Sequence, residues 1–257
     1  MKYLVLLCDH MADYPHKELF NRTPLAISET HVLDYLTPKS QIGLIRTIPN
    51  NCVARNEASI LSFMGYDPVA VLKDNNMIDW NLDRPLKIDS FYNKYKLKAS
   101  VISRLDYMKK LCKSADIKVC DICNTVEDIE KDYKEKLNIL FDEINKKQDF
   151  VCLHIEDNSN DNSIESRIKR IEDIDKYLLS PLLKGLNNIK DDFKLVIISS
   201  LIEKDDKIIA DPIPFLMYQS NMERDTEIKR FSEQTAKDKG MFLGVANILM
   251  RMFTYCF

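Results

Sequence analysis

The sequence predicts an α/β protein: a mostly parallel central sheet with helices on both faces. Two observations carry that expectation. Continuous apolar runs, of which Tyr3-Leu4-Val5-Leu6-Leu7-Cys8 is the clearest, read as strands buried on both faces, the habit of parallel sheets. These runs alternate with stretches of helical period, the pattern of successive βαβ units.

Strands are expected at residues 3–8, 42–47, 99–103, 117–122, 150–155, 193–199 and 215–218. Helices are expected at 57–64, 106–114, 126–147, 164–186 and 243–252. The third should open at Thr125, with Asp128 three residues on as a weak capping box. The fourth carries Ile164, Ile168, Ile171, Ile174, Tyr177 and Leu178 at helical spacing, a core-facing stripe. Segment 69–89, with the lone Trp80 and Arg84-Pro85, is less regular and reads as a connection or a reduced insertion.

The 257 residues fit one sizeable domain spanning 1–257. A net charge of −3 gives no electrostatic case for nucleic acid or an anionic membrane, and the lysines are mixed with acids as on solvated helix faces. No apolar run approaches the roughly 18–20 residues of a membrane span, and the first run ends in charge, so the cytoplasm is the expected compartment. Seven cysteines, an odd number in largely apolar runs, read as reduced thiols. The pair Cys120-x-x-Cys123 lacks a second pair to complete a zinc site and is expected to be two ordinary thiols. The five glycines form neither a P-loop nor a dinucleotide fingerprint.

Asp9 follows the first strand, where parallel sheets gather their ligands. It is either a metal ligand or a cap on the sheet end that accepts bonds from loop amides. Asn56 precedes the helix expected at 57–64 and suits an N-cap. A sharper reading makes Arg55 and Asn56 an anion site on the helix N-terminus, which the negative Glu57 opposes. The loop 156–163 is rich in acids and amides, a donor set for a single hard cation, and is more simply a solvated loop. Ser199-Ser200 ends a strand without a glycine elbow or a histidine near in sequence.

Several motifs, in order, carry a family resemblance. They are Asp9-His10-Met11-Ala12-Asp13, Thr23-Pro24-Leu25-Ala26, Gly43-Leu44-Ile45-Arg46-Thr47-Ile48-Pro49 and Ser62-Phe63-Met64-Gly65-Tyr66-Asp67-Pro68. The series continues through Lys98-Ala99-Ser100-Val101-Ile102-Ser103, residues 150–154 and Asp211-Pro212-Ile213-Pro214-Phe215. The chain resembles the archaeal-type, 2,3-bisphosphoglycerate-independent phosphoglycerate mutases of the alkaline phosphatase superfamily. That resemblance implies an alkaline phosphatase-like core whose inserted domain is reduced to a remnant at 69–89. It also implies two-metal phosphoryl transfer through a phosphoserine.

Carried over one position at a time, the resemblance leaves little of that chemistry. The first-strand aspartate is Asp9, followed by His10 in place of glycine. The nucleophilic serine falls on Asn56, preceded by Arg55, with the acidic neighbour surviving as Glu57. The ligand-loop aspartate falls on Glu156 or Asp157 and its histidine on Asn160. The later Asp-His pair falls on Ser200-Leu201, and the last histidine on Ile208. His154 matches a position inside a strand and is expected to be a satisfied strand residue.

The expectation is therefore a homologue without the ancestral reaction, with no cofactor, and with Arg55 and Asn56 as ligand-binding candidates. Its partner would be an anionic small molecule or a protein. Asp9, Glu57, Glu156 and Asp157 are the residual metal candidates; an active member would use Mn, Mg or Zn. The rivals are a mutase or phosphatase working with one metal at Asp9, Asp13, Glu57 and the Asp157 loop, and a subunit of an assembly. The apolar segment 243–257 would serve that assembly, and is more simply a final core-docking helix.

Overall fold

A computed structural model of the chain describes residues 1–75, 84–122, 128–157, 161–204, 207–245 and 247–254. Eight strands form one sheet: β1 (Lys2–Cys8), β2 (Gln41–Ile45), β3 (Ala99–Ile102), β4 (Lys118–Cys120), β5 (Phe150–Ile155), β6 (Phe193–Ser199), β9 (Ile213–Gln219) and β10 (Met241–Leu243). A separate hairpin pairs β7 (Ile202–Lys204) with β8 (Lys207–Ile209). The sheet order is β10-β2-β9-β6-β1-β5-β3-β4. Every neighbouring pair is parallel except those made by β9, which is antiparallel to both β2 and β6.

The expected mostly parallel α/β architecture is thus present, and alternation along the strands explains its two cores. Leu4, Leu6 and Cys8 of β1 face one side with Leu153 and Ile197; Val5 and Leu7 face the other with Cys152 and Val196. The first side is covered by α7 (Ile129–Asn145), α8 (Ile164–Asp173) and α9 (Ser180–Leu186). The second is covered by α3 (Asn56–Phe63), α6 (Asp106–Ser114) and the final helix α11 (Asn247–Thr254). Ile248, Leu249 and Met252 are buried, so α11 docks on the core, the simpler of its two expected roles.

Some expectations are corrected. Residues 243–252 do not form one helix, because Leu243 pairs with Ile45 in β10. The cap of α7 is Asp128, whose carboxylate accepts from the amides of Glu130 and Lys131; Thr125 and Cys123 lie outside the described residues, as do 76–83 of the segment 69–89 and Asn160 of the loop 156–163. Short helices at α1 (Pro24–Ile27), α2 (His31–Leu36), α4 (Pro68–Asp74), α5 (Phe91–Tyr95) and α10 (Glu233–Lys239) complete the fold. Their few turns are too short for periodicity to reveal.

The stretch expected as one helix at 164–186 is continuous but not uniformly α. Between α8 and α9, Ile174–Leu179 winds as a π-helix, and within it lies the buried carboxylate of Asp175. The α2 cap residue, Thr30, makes no side-chain cap bond. Asp175 supplies it from afar, accepting from the amides of Val32 (2.9 Å) and Leu33 (2.9 Å). Burial nevertheless pushes its carboxyl above the usual aspartate range. Asp175→Ala should leave the buried Leu33 amide and the half-buried Val32 amide unpaired and cost about 2 kcal/mol, read as a lower urea midpoint at unchanged slope.

Candidate functional site

Four parallel neighbours, β6, β1, β5 and β3, end side by side, and the residues just beyond or at their ends converge. In register, Cys8 lies opposite both Ile155 and Ser199. This sets Asp9, Glu156 and Ser200 across one edge, with Ser103 and Arg104 following β3.

Among the described residues no loop amide bonds to the Asp9 carboxylate, capping of this kind being one of the two roles expected of it. Its carboxylate meets the imidazole Nε2 of His154 at 3.1 Å and the hydroxyl of Ser200. The other ring nitrogen of His154 lies 3.0 Å from Ser103 Oγ, which donates to Glu156 at 3.2 Å. Ser103, His154 and Asp9 therefore share the linear order of a hydrolytic triad. Both Ser103 and His154 are fully buried, and the serine proton is directed at Glu156. The chain of bonds ties the ends of β1, β3 and β5 together. His154 is the satisfied strand residue expected of it; its contact with Asp9 was not visible in the sequence.

Cations of the chain itself surround these carboxylates. The ammonium of Lys136, with 0% side-chain exposure, lies 2.8 Å from Glu156 and 3.1 Å from Asp132. Arg104 pairs with Asp132 and stands 3.6 Å from Glu156, while its amide donates to Glu156 at 2.7 Å. Asp157 is paired with Arg170, and Asp13 with Arg167 at 2.6 Å and His16 at 2.9 Å. Glu156 and Asp157 are therefore buried ion-pair partners, not members of a solvated loop. Burial alone would raise the Glu156 carboxyl; the Lys136 charge outweighs it, with His154 and the Arg104 amide, and holds the group below its usual range. For Asp9, burial likewise opposes ionisation, and the His154 bond and charge prevail, so its carboxyl also titrates low.

At the serine position, Asn56 is the first residue of α3 and Arg55 holds the cap position in extended conformation. The expected Asn56 N-cap is therefore displaced by one residue, and Arg55 makes no side-chain cap bond to the helix. The phenol of Tyr107, on α6, stands in the negative field of Asp9, Glu57 and Glu156; burial first, then those charges, keep it protonated well above the usual tyrosine range. Tyr107 was not singled out from sequence, where an aromatic on a helix reads as core. Ile48, Ala58 of α3 and Leu201 form a small apolar cluster, with Ile208 of β8 and Ala210 packed against it.

These residues do not fit a pair of dications. Of the carboxylates that would bind them, Glu156, Asp157, Asp13 and Asp9 are engaged by Lys136 and Arg104, Arg170, Arg167 and His154 respectively, and Glu57 stands apart in the first turn of α3. Leu201 and Ile208, which stand where the resemblance expects imidazoles, offer hydrocarbon. Among the described residues, no group of three or more His, Cys, Asp or Glu is arranged to hold a metal ion. Cys120 is a buried free thiol on β4, as expected of that half of the Cys-x-x-Cys pair.

The profile of the Metalloenzyme superfamily matches residues 1–254. The chain belongs to that superfamily. Proteins of similar sequence include 2,3-bisphosphoglycerate-independent phosphoglycerate mutases. That of Methanosarcina barkeri is 43% identical over 68 residues, 26% of this chain and 17% of the relative. That of Methanosarcina mazei is 25% identical over 183 residues, 68% of this chain and 45% of the relative. The matched stretches thus make up less than half of either relative. Among solved structures, the cofactor-independent phosphoglycerate mutase of Thermoplasma acidophilum superposes with a TM-score of 0.73 at 14% identity, covering 98% of this chain and 99% of that one. A Pyrococcus horikoshii protein gives 0.77 at 19% identity, covering 98% and 95%. These superpositions establish a fold shared with those two proteins. Among the described residues of this superfamily member, no helix is long and apolar enough to cross a membrane.

Proposed function

We propose that this superfamily member is a non-catalytic homologue of the cofactor-independent phosphoglycerate mutases, with a binding or regulatory role in the cytoplasm. The observation that carries the reading is the pairing of Glu156 with Lys136 and Arg104 at the strand ends. A carboxylate neutralised by the protein's own cations has no charge left to draw in a metal. Without a metal, nothing lowers the pKa of an attacking hydroxyl or offsets the charge of a transferring phosphoryl group. Asn56 supports the same reading, because a carboxamide cannot accept and release phosphorus as a serine does. In this reading residues 69–89 are what remains of the inserted domain.

The ligand in this proposal is a small phosphorylated or carboxylated molecule at Arg55 and the first turn of α3, where free amides and the helix dipole favour negative charge. Arg55→Ala should abolish any thermal shift given by 3-phosphoglycerate.

The deciding experiment incubates the purified chain with 3-phosphoglycerate labelled in its phosphate, with and without MnCl2. No 2-phosphoglycerate and no label on the protein are expected. Asn56→Ser, which restores the hydroxyl alone, should behave in the same way. Turnover by the parent chain, or label trapped on it, would instead establish the rival enzyme with a metal among Asp9, Asp13, Glu57 and Asp157.

A further inference from the structure

A fully buried lysine is rare, and Lys136 stands among charges that all belong to one edge of the sheet. Its ammonium is shared between Glu156 and Asp132, and the Arg104 guanidinium contacts the same two carboxylates from the β3 side. Tyr133 offers its ring face to the ammonium at 5.8 Å. His154 approaches Glu156 at 3.8 Å and so joins the cluster to Asp9. One lysine and one arginine carry two positive charges, as one divalent cation does.

We infer that Lys136 and Arg104 are a tethered counter-ion, holding at the strand ends the positive charge for which other folds of this kind would need a metal. The tether explains two features of the sequence together. Lys136 lies in line with Tyr133, Leu137 and Leu140 on the buried face of α7, a position otherwise suited to an aliphatic side chain. Asp132, one turn earlier, is also buried, so an i,i+4 pair has been turned into the core. A charge pair there is stable only while every member keeps its partner. Because the cations are part of the chain, Glu156 and Asp132 stay balanced at any metal concentration. This inference rests on the same pairing of Glu156 with Lys136 and Arg104 that carries the proposed function. Its test reads unfolding and not turnover, so the two fail separately.

The test compares thermal unfolding of the full chain and of Lys136→Ala in EDTA and in MnCl2. The parent midpoint should be the same in both. Lys136→Ala should melt lower in EDTA by on the order of 10 °C, because Glu156 and Asp132 then share Arg104 alone. MnCl2 should recover part of that loss, since Glu156 and Asp132, the two carboxylates that meet at the ammonium, would be left with an unbalanced negative charge. Stabilisation of the parent by MnCl2 equal to that of the variant, or no recovery in the variant, overturns the inference. Should Lys136→Ala fail to fold, the variant carrying both Lys136→Met and Glu156→Gln removes one charge of each sign. It is expected to fold with a midpoint close to the parent's, and its failure to do so also overturns the inference.

Discussion

Glu156→Ala should destabilise the protein by about 3–5 kcal/mol, the range for removing one partner of a buried ion pair. The loss is larger than the packing of a glutamate stem accounts for. Lys136 would stay at full burial with Asp132 as its single anion, and Asp132 already holds Arg104. The Ser103 hydroxyl and the Arg104 amide would both lose their acceptor. Urea denaturation at neutral pH reads the effect as a lower midpoint. Glu156→Gln keeps an acceptor oxygen for those donors and should cost less than the alanine variant.

The same residue fixes the sign of a pH effect. The folded Glu156 carboxyl titrates below its ordinary value of 4.5, so its contribution is complete above that pH. It is lost as the pH falls through the folded value. Asp9 acts in the same sense from its ordinary value of 3.8. Glu233 acts in the opposite sense: burial raises its carboxyl despite the bonds from Thr23 and the Asp13 amide, so its contribution is lost as the pH rises through the folded value. The Glu156 contribution to stability, measured as the difference between the parent and Glu156→Gln across about pH 3 to 7, should therefore shrink on the acid side. An unchanged acid limb in the variant would show that Lys136 does not hold Glu156 ionised.

The sheet was legible because its long strands bury both faces, and β1, β5 and β6 are continuous apolar runs. The three-residue strands β7, β8 and β10 were not, because pairing and not composition defines them. Asp9 and Glu156 were legible as strand-end carboxylates. Their neutralisation was not, since it comes from α7 and from the residue after β3, far apart in the chain. By composition Lys136 reads as one of the solvated lysines, although one signal sets it apart: it interrupts the apolar stripe of Tyr133, Leu137 and Leu140. A charged residue inside such a stripe, one turn after an aspartate, marks a buried pair. The π-helix around Asp175 left no such trace, because a single wide turn barely disturbs helical spacing.

Gly43→Val should be the most damaging substitution outside the charge cluster, costing about 3 kcal/mol or more. Gly43 lies in β2 between β9 and β10, opposite Phe215 on one side and Met241 on the other. A Cβ there would stand 2.1 Å from the Met241 carbonyl oxygen and 2.9 Å from the Phe215 ring. The first contact is backbone and has no rotamer to relax into. Gly240 closes from the same side, its own Cβ position 2.6 Å from the Gly43 Cα, so β10 can approach only because both residues are glycine. Valine would push β10 off the sheet edge and, with it, the start of α11, whose Ile248 and Leu249 belong to the core. Hydrogen exchange should then accelerate first at the amide of Arg46, which donates to Leu243, and at the buried end of α11, while β1 and β5 keep their protection. Uniform loss of protection across the whole sheet would mean instead that β10 and the centre unfold as one unit.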